Sequence, residues 1–226
     1  MAKLKENEKA AVSQEALQQT VSTKTDEFFK KNKKLLWGIV IAVVVIALAI
    51  LGYQKFIYQP KCAEAMQQTY PAEMNFQAGG YELALNGDGN VLGFAEIIKE
   101  YGTKAGKAVY LYAGVCEYQL GNFDAALDYL NKYDGKEPIL AARAEACKGD
   151  AYVGLEKYQE AIKCFENAAA KADNIFAAGY LFKAGIAYEE LGNKAEALRC
   201  YKAIEDKYPQ SIEAYDIDKY ISRVEE

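Results

Sequence analysis

The sequence predicts an all-α protein, in which an N-terminal single transmembrane helix is followed by an α-solenoid of helical hairpins and a C-terminal capping helix. Three observations predict this fold class. An uncharged apolar run fills residues 35–54. Small and large side chains then recur in register at intervals of 35 and 36 residues, a period typical of repeats built from two helices. The final segment, residues 210–226, places apolar residues at helical spacing among charged ones.

The first element is a basic tail, residues 1–34. It holds eight lysines against five acidic residues, so the net charge of −5 for the whole chain leaves −8 for residues 35–226. An acidic remainder lacks the basic face that phosphate binding requires, which argues against nucleic acid as a partner. We interpret residues 1–34 as a cytoplasmic tail, because lysines beside a membrane span remain on the cytoplasmic side.

The second element is the apolar run, with the sequence LLWGIVIAVVVIALAILGYQ. Its 20 residues, at about 1.5 Å each, match the roughly 30 Å of a bilayer's hydrocarbon core. Trp37 and Tyr53 stand near its two ends, where amphipathic rings prefer the membrane interface. A cleaved signal peptide is disfavoured because the A-x-A triplet, Ala47 to Ala49, lies inside the run. We therefore predict that residues 35–54 cross a lipid bilayer.

Lysines around the run predict its orientation. Those within twenty residues before it are Lys24, Lys30, Lys31, Lys33 and Lys34, and those after it are Lys55 and Lys61. Because positive residues stay in the cytoplasm, we expect a single-pass protein with a cytoplasmic N-terminus. In a diderm bacterium this places the protein in the inner membrane and its C-terminal domain in the periplasm.

The third and fourth elements are a linker helix, 55–72, and a degenerate helical hairpin, 73–104. We expect the linker helix to end at Pro71, because proline disrupts a helix. Ala95, Ile98 and Tyr101 are predicted to form the apolar face of the hairpin's second helix.

A glycine-rich interruption at 86–93 separates the helices of this hairpin, and it contains a calcium-like motif. Asn86, Asp88 and Asn90 imitate the first three ligand positions of an EF-hand loop. The imitation fails at the sixth and twelfth positions, which are Val91 and Ile97 instead of glycine and glutamate. We interpret the segment as a turn that starts a helix at Val91.

Three registered copies of one pattern make up the next elements, 105–138, 139–174 and 175–209. Each copy has a glycine, an alanine twelve residues later, a large side chain four residues further on, and a closing residue eight beyond that. The four sets are Gly114, Gly149 and Gly185; Ala126, Ala161 and Ala197; Leu130, Phe165 and Tyr201; and Pro138, Asp173 and Pro209. This is the pattern of the tetratricopeptide repeat, in which small residues let two helices approach closely and a proline ends the second helix.

The last element, 210–226, is predicted to cap the stack. Ile217, Tyr220, Ile221 and Val224 stand at helical spacing, and the other face is charged. A terminal repeat needs such a half-polar helix because its outer side meets solvent.

The chemistry of the side chains argues against an enzyme. Histidine is absent, which removes the usual general base and the commonest zinc ligand. The five cysteines form no C-x-x-C pair, and we expect those inside helices to pack as small apolar residues. We predict no catalytic residue, no metal site and no cofactor.

A concave groove is the candidate site for a partner. On the first helix of each repeat, three residues at i, i+4 and i+7 are predicted to face the concave side. They are Leu111, Val115 and Tyr118; Ala146, Asp150 and Val153; and Phe182, Ile186 and Glu189. Two interpretations stay open: these mostly apolar residues pack against neighbouring helices, or they line a groove for an apolar segment of another protein.

The chain resembles a known family over about residues 26–226. The anchor FFKKNKKLLWGIVIAVVV and the exported repeats resemble the bacterial ancillary Sec-translocon subunit family of tetratricopeptide inner-membrane proteins. ELALNGDGNVLGFAEIIKEYGTKAG and IDKYISR are similar to its Bacteroides-like version. The resemblance implies association with translocon subunits, periplasmic folding factors and newly exported client proteins.

Two functions are compatible with these features. The first is a membrane-anchored, non-enzymatic adaptor or co-chaperone at the translocon. The alternative is a scaffold that coordinates cell-envelope or division proteins.

Overall fold

The computed structural model describes residues 31–172 and 174–226, which divide into two compact units at Gln59 and Pro60. Lys24, Lys30 and most of the basic tail, together with Asp173, lie outside the described residues. Throughout the described ranges the regular structure is helical, and an isolated bridge between Gly87 and Leu92 is the one β-type pairing there.

The first unit consists of an apolar helix. Helix α1 spans Lys33–Tyr53 and is followed by a π-helical turn, Gln54–Tyr58. No residue of α1 is buried, although nearly all its side chains are apolar. By length and composition, Lys33–Gln77 contains a stretch suited to crossing a membrane, the only one among the described residues. The predicted span 35–54 falls within it.

Helix α2, Gln59–Gln77, lies in the second unit from Pro60 onward. The prediction that this helix ends at Pro71 is wrong, because Pro71 lies inside it. A proline removes one backbone hydrogen bond, and α2 is held in place by the burial of Ala65, Thr69 and Ala72 on one side. The Thr69 hydroxyl also donates a hydrogen bond of 2.8 Å to the carbonyl of Ala65.

The degenerate hairpin contains α3, Tyr81–Asn86, and α4, Phe94–Tyr101, joined through the glycine-rich loop. Helix α4 begins at Phe94, three residues later than predicted. The reason is that Asp88 Oδ1 accepts hydrogen bonds from the backbone N–H groups of Asn90 and Val91, at 2.8 and 2.9 Å, which holds Val91 in the turn. This turn is the interpretation that the sequence favoured over a calcium loop.

The buried face of α4 is also rotated from the predicted one. Phe94, Ile97 and Tyr101 are buried, whereas Ala95 and Ile98 are partly buried at its margin. The ring of Phe94 contacts the rings of Phe76 on α2 and Tyr112 on α5. Because this ring is larger than the side chains of Ala95 and Ile98, it determines which face of α4 packs against α2 and α5.

Three helical hairpins follow, and they are the predicted repeats. They pair α5 (Ala108–Gln119) with α6 (Phe123–Leu130), α7 (Pro138–Gly154) with α8 (Tyr158–Ala172), and α9 (Phe176–Glu190) with α10 (Lys194–Lys207). Each hairpin also packs on the next, since α6 contacts α7 and α8 contacts α9.

The glycine and the large residue of each repeat face one another directly. A Cβ on Gly114 would lie 2.6 Å from Leu130 Cγ, and one on Gly149 would lie 2.5 Å from Phe165 Cε1. Gly185 faces the Tyr201 ring in the same way. The bulky side chain of the second helix therefore lies against the bare backbone of the first, while the repeat alanines 126, 161 and 197 are fully buried beside it.

Pro138 has a different role from the one predicted. Helix α6 already ends at Leu130, and Pro138 is the first residue of α7. Proline suits a first helical turn because its missing N–H would have no partner there. Pro209 follows the end of α10 at Lys207, as the repeat pattern predicts.

The predicted capping helix is present. A short 3₁₀ turn, Glu213–Asp216, leads into α11, Ile217–Glu225, which packs on α10. Ile217, Ile221 and Val224 are buried in one cluster with Tyr201 and Ile204. Helix α11 thus covers the apolar end of the last repeat.

Candidate functional site

The predicted groove residues of the first repeat are interior residues. Leu111 is 1% exposed and Val115 is 7% exposed, and both pack with Ala126, Leu127 and Leu130. The reason is that α5 contacts α3, α4, α6 and α7, so little of its surface is free. For these two residues the structure matches the packing interpretation, and the same holds for buried Ala146 on α7.

The second and third repeats form a pocket between α7 and α9. Four predicted residues line it: Asp150, Val153, Phe182 and Ile186. The remaining lining residues are Tyr158, Phe165, Lys183, Ala187 and Glu190. The pocket has a volume of about 230 Å³, and most of its lining side chains are apolar. The structure therefore brings four of the predicted groove residues together in one pocket, which lies in the second and third repeats, and its use as a partner groove stays a prediction.

An ion pair joins the two helices that form the pocket. Lys183 Nζ donates hydrogen bonds of 2.7 Å to both Asp150 oxygens. The same ammonium lies 5.8 Å from the centroid of the Phe165 ring, within the range of a cation–π contact. Because the bidentate contact satisfies the Asp150 carboxylate, Lys183 and Asp150 stabilise the wall of the pocket and add no net charge to it.

Phe182 is a pocket residue with a second set of contacts. Its ring centroid lies 4.7 Å from that of Tyr220 on α11 and 6.0 Å from that of Tyr201 on α10. Phe182 therefore also anchors the cap to the last repeat. Val153, by contrast, is 37% exposed and belongs to none of the buried clusters.

Glu189 is engaged elsewhere in the last repeat. Its carboxylate accepts a hydrogen bond from the Tyr201 hydroxyl and one of 2.6 Å from Arg223 Nη2 on α11. Burial, followed by the hydrogen bond to Glu189, raises the pKa of Tyr201 well above its usual value. Glu189 thus links α9 to α10 and to the cap, and it is not among the pocket residues.

Tyr118 likewise lies outside the pocket. Its ring packs on Phe123, with centroids 6.0 Å apart, in the core of the first repeat. Burial raises the pKa of its hydroxyl, and the carboxylate of Asp150 adds to that effect.

The sequence prediction missed Lys183 and Glu190 because it allowed three residues of each first helix on the concave side, whereas the face of α9 that lines the pocket is wider. A face of Lys183, Ile186 and Glu190 has the spacing i, i+3, i+7, whereas the predicted face was Phe182, Ile186 and Glu189. Helical spacing fits both sets, so spacing by itself does not decide which residues face the pocket. The pairing of Lys183 with Asp150, 33 residues earlier, is the signal that distinguishes them, because that separation is close to one repeat.

Four cysteine thiols within the repeats are held in their protonated form by burial. Burial raises the pKa of Cys116 to about 12 and those of Cys147, Cys164 and Cys200 to about 11. All five cysteines are free of disulfides. Among residues 31–172 and 174–226, no three His, Cys, Asp or Glu side chains are grouped so as to hold a metal ion.

Comparison with known proteins agrees with this architecture. The tetratricopeptide repeat family model matches residues 148–212, and that of the anaphase-promoting complex, cyclosome, subunit 3 matches residues 89–168. The crystal structure of MamA protein matches with a TM-score of 0.56 at 18% sequence identity, over 73% of this chain and 82% of that one. No curated protein is significantly similar in sequence.

At 18% identity the likeness to MamA protein concerns the fold alone. The predicted all-helical fold with tetratricopeptide-like repeats is confirmed. These repeats indicate a protein–protein interaction module, and the matches point to no enzymatic family.

Proposed function

We propose that this chain of tetratricopeptide-like repeats is a membrane-anchored, non-enzymatic adaptor that holds other proteins beside the inner membrane. The observation that carries the proposal is the open apolar pocket between α7 and α9. Apolar surface left uncovered within a repeat array is the usual means by which such arrays bind a partner. The matches to repeat proteins, which point to no enzymatic family, also support a binding function.

The membrane anchor is the apolar helix α1. Its large apolar side chains from Trp37 to Leu51 are about half exposed or more. In water this would be an unusually large apolar surface, whereas hydrocarbon would solvate it well. The lysines before the run favour a cytoplasmic N-terminus and export of the repeats.

We place the adaptor at the Sec translocon on the strength of the family resemblance, with periplasmic folding factors and exported proteins as its partners. Its role there would be that of a co-chaperone, because an apolar pocket on an acidic domain suits transient contact with an unfolded segment.

The orientation is tested by protease treatment of spheroplasts that carry the full chain. Digestion of the repeats from outside, with the N-terminal tail left intact, is expected. Protection of the repeats until the membrane is lysed would contradict the proposed topology.

The partners are tested by photocrosslinking in intact cells. A photoreactive amino acid replaces Val153 at the pocket, and a matched variant carries it at Glu205, an exposed residue of α10 outside the pocket. Translocon subunits or exported proteins should be recovered from the Val153 variant and not from the control. Recovery of division or envelope-assembly proteins, together with enrichment of a fluorescent fusion at the septum, would favour the alternative function as a scaffold.

A further inference from the structure

The pocket between α7 and α9 is matched in size to a single side chain of a partner. Its volume of about 230 Å³ lies below the roughly 300–1,000 Å³ of clefts that enclose drug-sized ligands. Phe165, which is 1% exposed, is the most deeply buried of its apolar lining residues, and Ile186 and Val153 also line it. Such a pocket suits one bulky apolar side chain that belongs to a larger molecule.

The residues that line the pocket carry one more negative charge than positive charges. Lys183, the one cation among the lining residues, is neutralised by both oxygens of Asp150. Glu190 is the other charged lining residue, and it is exposed. Within the described part of the chain it makes no ion pair, since the carboxylates that do are on other residues. The margin of the pocket therefore presents one unneutralised negative charge.

Glu190 lies close enough to the apolar lining of the pocket for one partner segment to contact both. It follows Ile186 by four residues on α9, so the two side chains are neighbours, about 5–6 Å apart at Cβ. A cation close to the apolar side chain in a partner's sequence would reach Glu190. The net charge of −8 on residues 35–226 would attract the same basic segment at longer range.

We propose that this pocket selects a peptide segment of a partner protein that carries one bulky apolar side chain and, within about four residues of it, a lysine or arginine. The apolar side chain enters between Phe165 and Ile186, and the cation pairs with Glu190. This assignment rests on the proposed function as a protein-binding adaptor and names the chemistry of its partner. An acidic margin disfavours anionic lipid head groups at the same place.

The test begins with phage-displayed randomised dodecapeptides selected on the purified full chain in detergent micelles. The expected result is enrichment of peptides with Leu, Ile, Phe, Met or Trp and a Lys or Arg within four residues. Enriched peptides are then labelled with fluorescein, and their Kd is measured by fluorescence anisotropy. Replacing the apolar residue with Ser, or the basic residue with Glu, should each raise Kd about fivefold or more.

Matched variants of the protein distinguish the two contacts. Val153→Ser should weaken every enriched peptide. Glu190→Lys should weaken binding of the basic peptides about fivefold. Peptides in which Glu replaces the basic residue should bind this variant at least as tightly as they bind the natural protein. Glu205→Lys introduces the same charge change on α10, outside the pocket, and should change Kd less than twofold.

Several outcomes overturn the proposal. They are selection of no peptides, selection of acidic ones, or equal effects of Glu190→Lys and Glu205→Lys. A lower oligomeric mass of Val153→Ser in light scattering would assign the pocket to a second copy of the chain instead. Photocrosslinking from Val153 distinguishes this proposal from the proposed adaptor function. Crosslinks to partner segments without a basic residue would be compatible with the adaptor function but would contradict the proposed peptide specificity.

Discussion

Replacement of Gly149 by alanine tests the close approach of helices on which each repeat depends. The new Cβ would lie 2.5 Å from Phe165 Cε1 and 2.8 Å from Cζ, where about 3.5–4.0 Å is the normal separation of carbon atoms. Phe165 is 1% exposed and has little room to retreat. Overpacking of this kind costs about 1–3 kcal/mol.

The same substitution also raises helix propensity, which contributes about 0.8–1.0 kcal/mol in the opposite direction. Gly179, in α9, provides the control for that term. A Cβ there meets only the flexible carboxylate of Glu213, at 3.0 Å. We therefore expect Gly179→Ala to be neutral or slightly stabilising, and Gly149→Ala to be less stable than Gly179→Ala by about 1–3 kcal/mol.

The assay is urea denaturation of the full chain in detergent, followed by circular dichroism. A repeat array does not always unfold in one step, so the midpoints of the two variants are compared directly. A third variant, Phe165→Leu, removes the ring that the new methyl group meets. Adding Gly149→Ala to Phe165→Leu should then cost less than adding it to the natural protein. Equal stability of Gly149→Ala and Gly179→Ala would refute the proposed glycine–ring contact.

Three further predictions concern the core, the cap and the pH response. Ala161→Phe should lower the free energy of unfolding by about 1–3 kcal/mol, because Ala161 is fully buried, and an unchanged urea midpoint would contradict that packing. Ile221→Ala should cost about 2–5 kcal/mol locally and speed hydrogen exchange in α10 and α11, while exchange in α3 stays as it is. The raised pKa of Tyr201 means that the folded state retains this proton above pH 10, where the unfolded chain loses it, so stability should fall as pH rises from about 10. Tyr201→Phe should flatten that decline in urea midpoints measured between pH 8 and 11, and an unaltered slope would exclude Tyr201 as its source.

Much of the fold was predictable because its contacts repeat. Gly149 packs against Phe165, and Gly114 and Gly185 pack in the same way against the large residues of their own repeats. Because the three glycines and their large partners recur in register along the sequence, the helical hairpins could be recognised from it. The boundaries were less predictable. Pro71 and Pro138 both mark positions where a helix was expected to end, but one lies inside α2 and the other begins α7. A proline lacks one donor in either place, and neighbouring packing decides whether the helix tolerates it.

The candidate site was predictable only in part. Asp150, Val153, Phe182 and Ile186 were expected on a concave surface and line the pocket. Phe182 lines the pocket, whereas Leu111 and Ala146, which have the same position in their own repeats, are buried. Equivalent positions differ because the first repeat has the degenerate hairpin on one side and the second repeat on the other.

The sequence by itself determined that the chain has an apolar span, three helical hairpins and a capping helix, because these follow from local composition and from a period repeated along the chain. The tertiary structure decided which surfaces remain free. Helix α5 is enclosed by four neighbours, Glu189 is engaged by Arg223 from the cap, and Lys183 is paired with Asp150 across two helices. Each of these outcomes depends on which helices stack beside one another. The sequence of a single repeat does not specify which side chains the adjacent helices bring next to it.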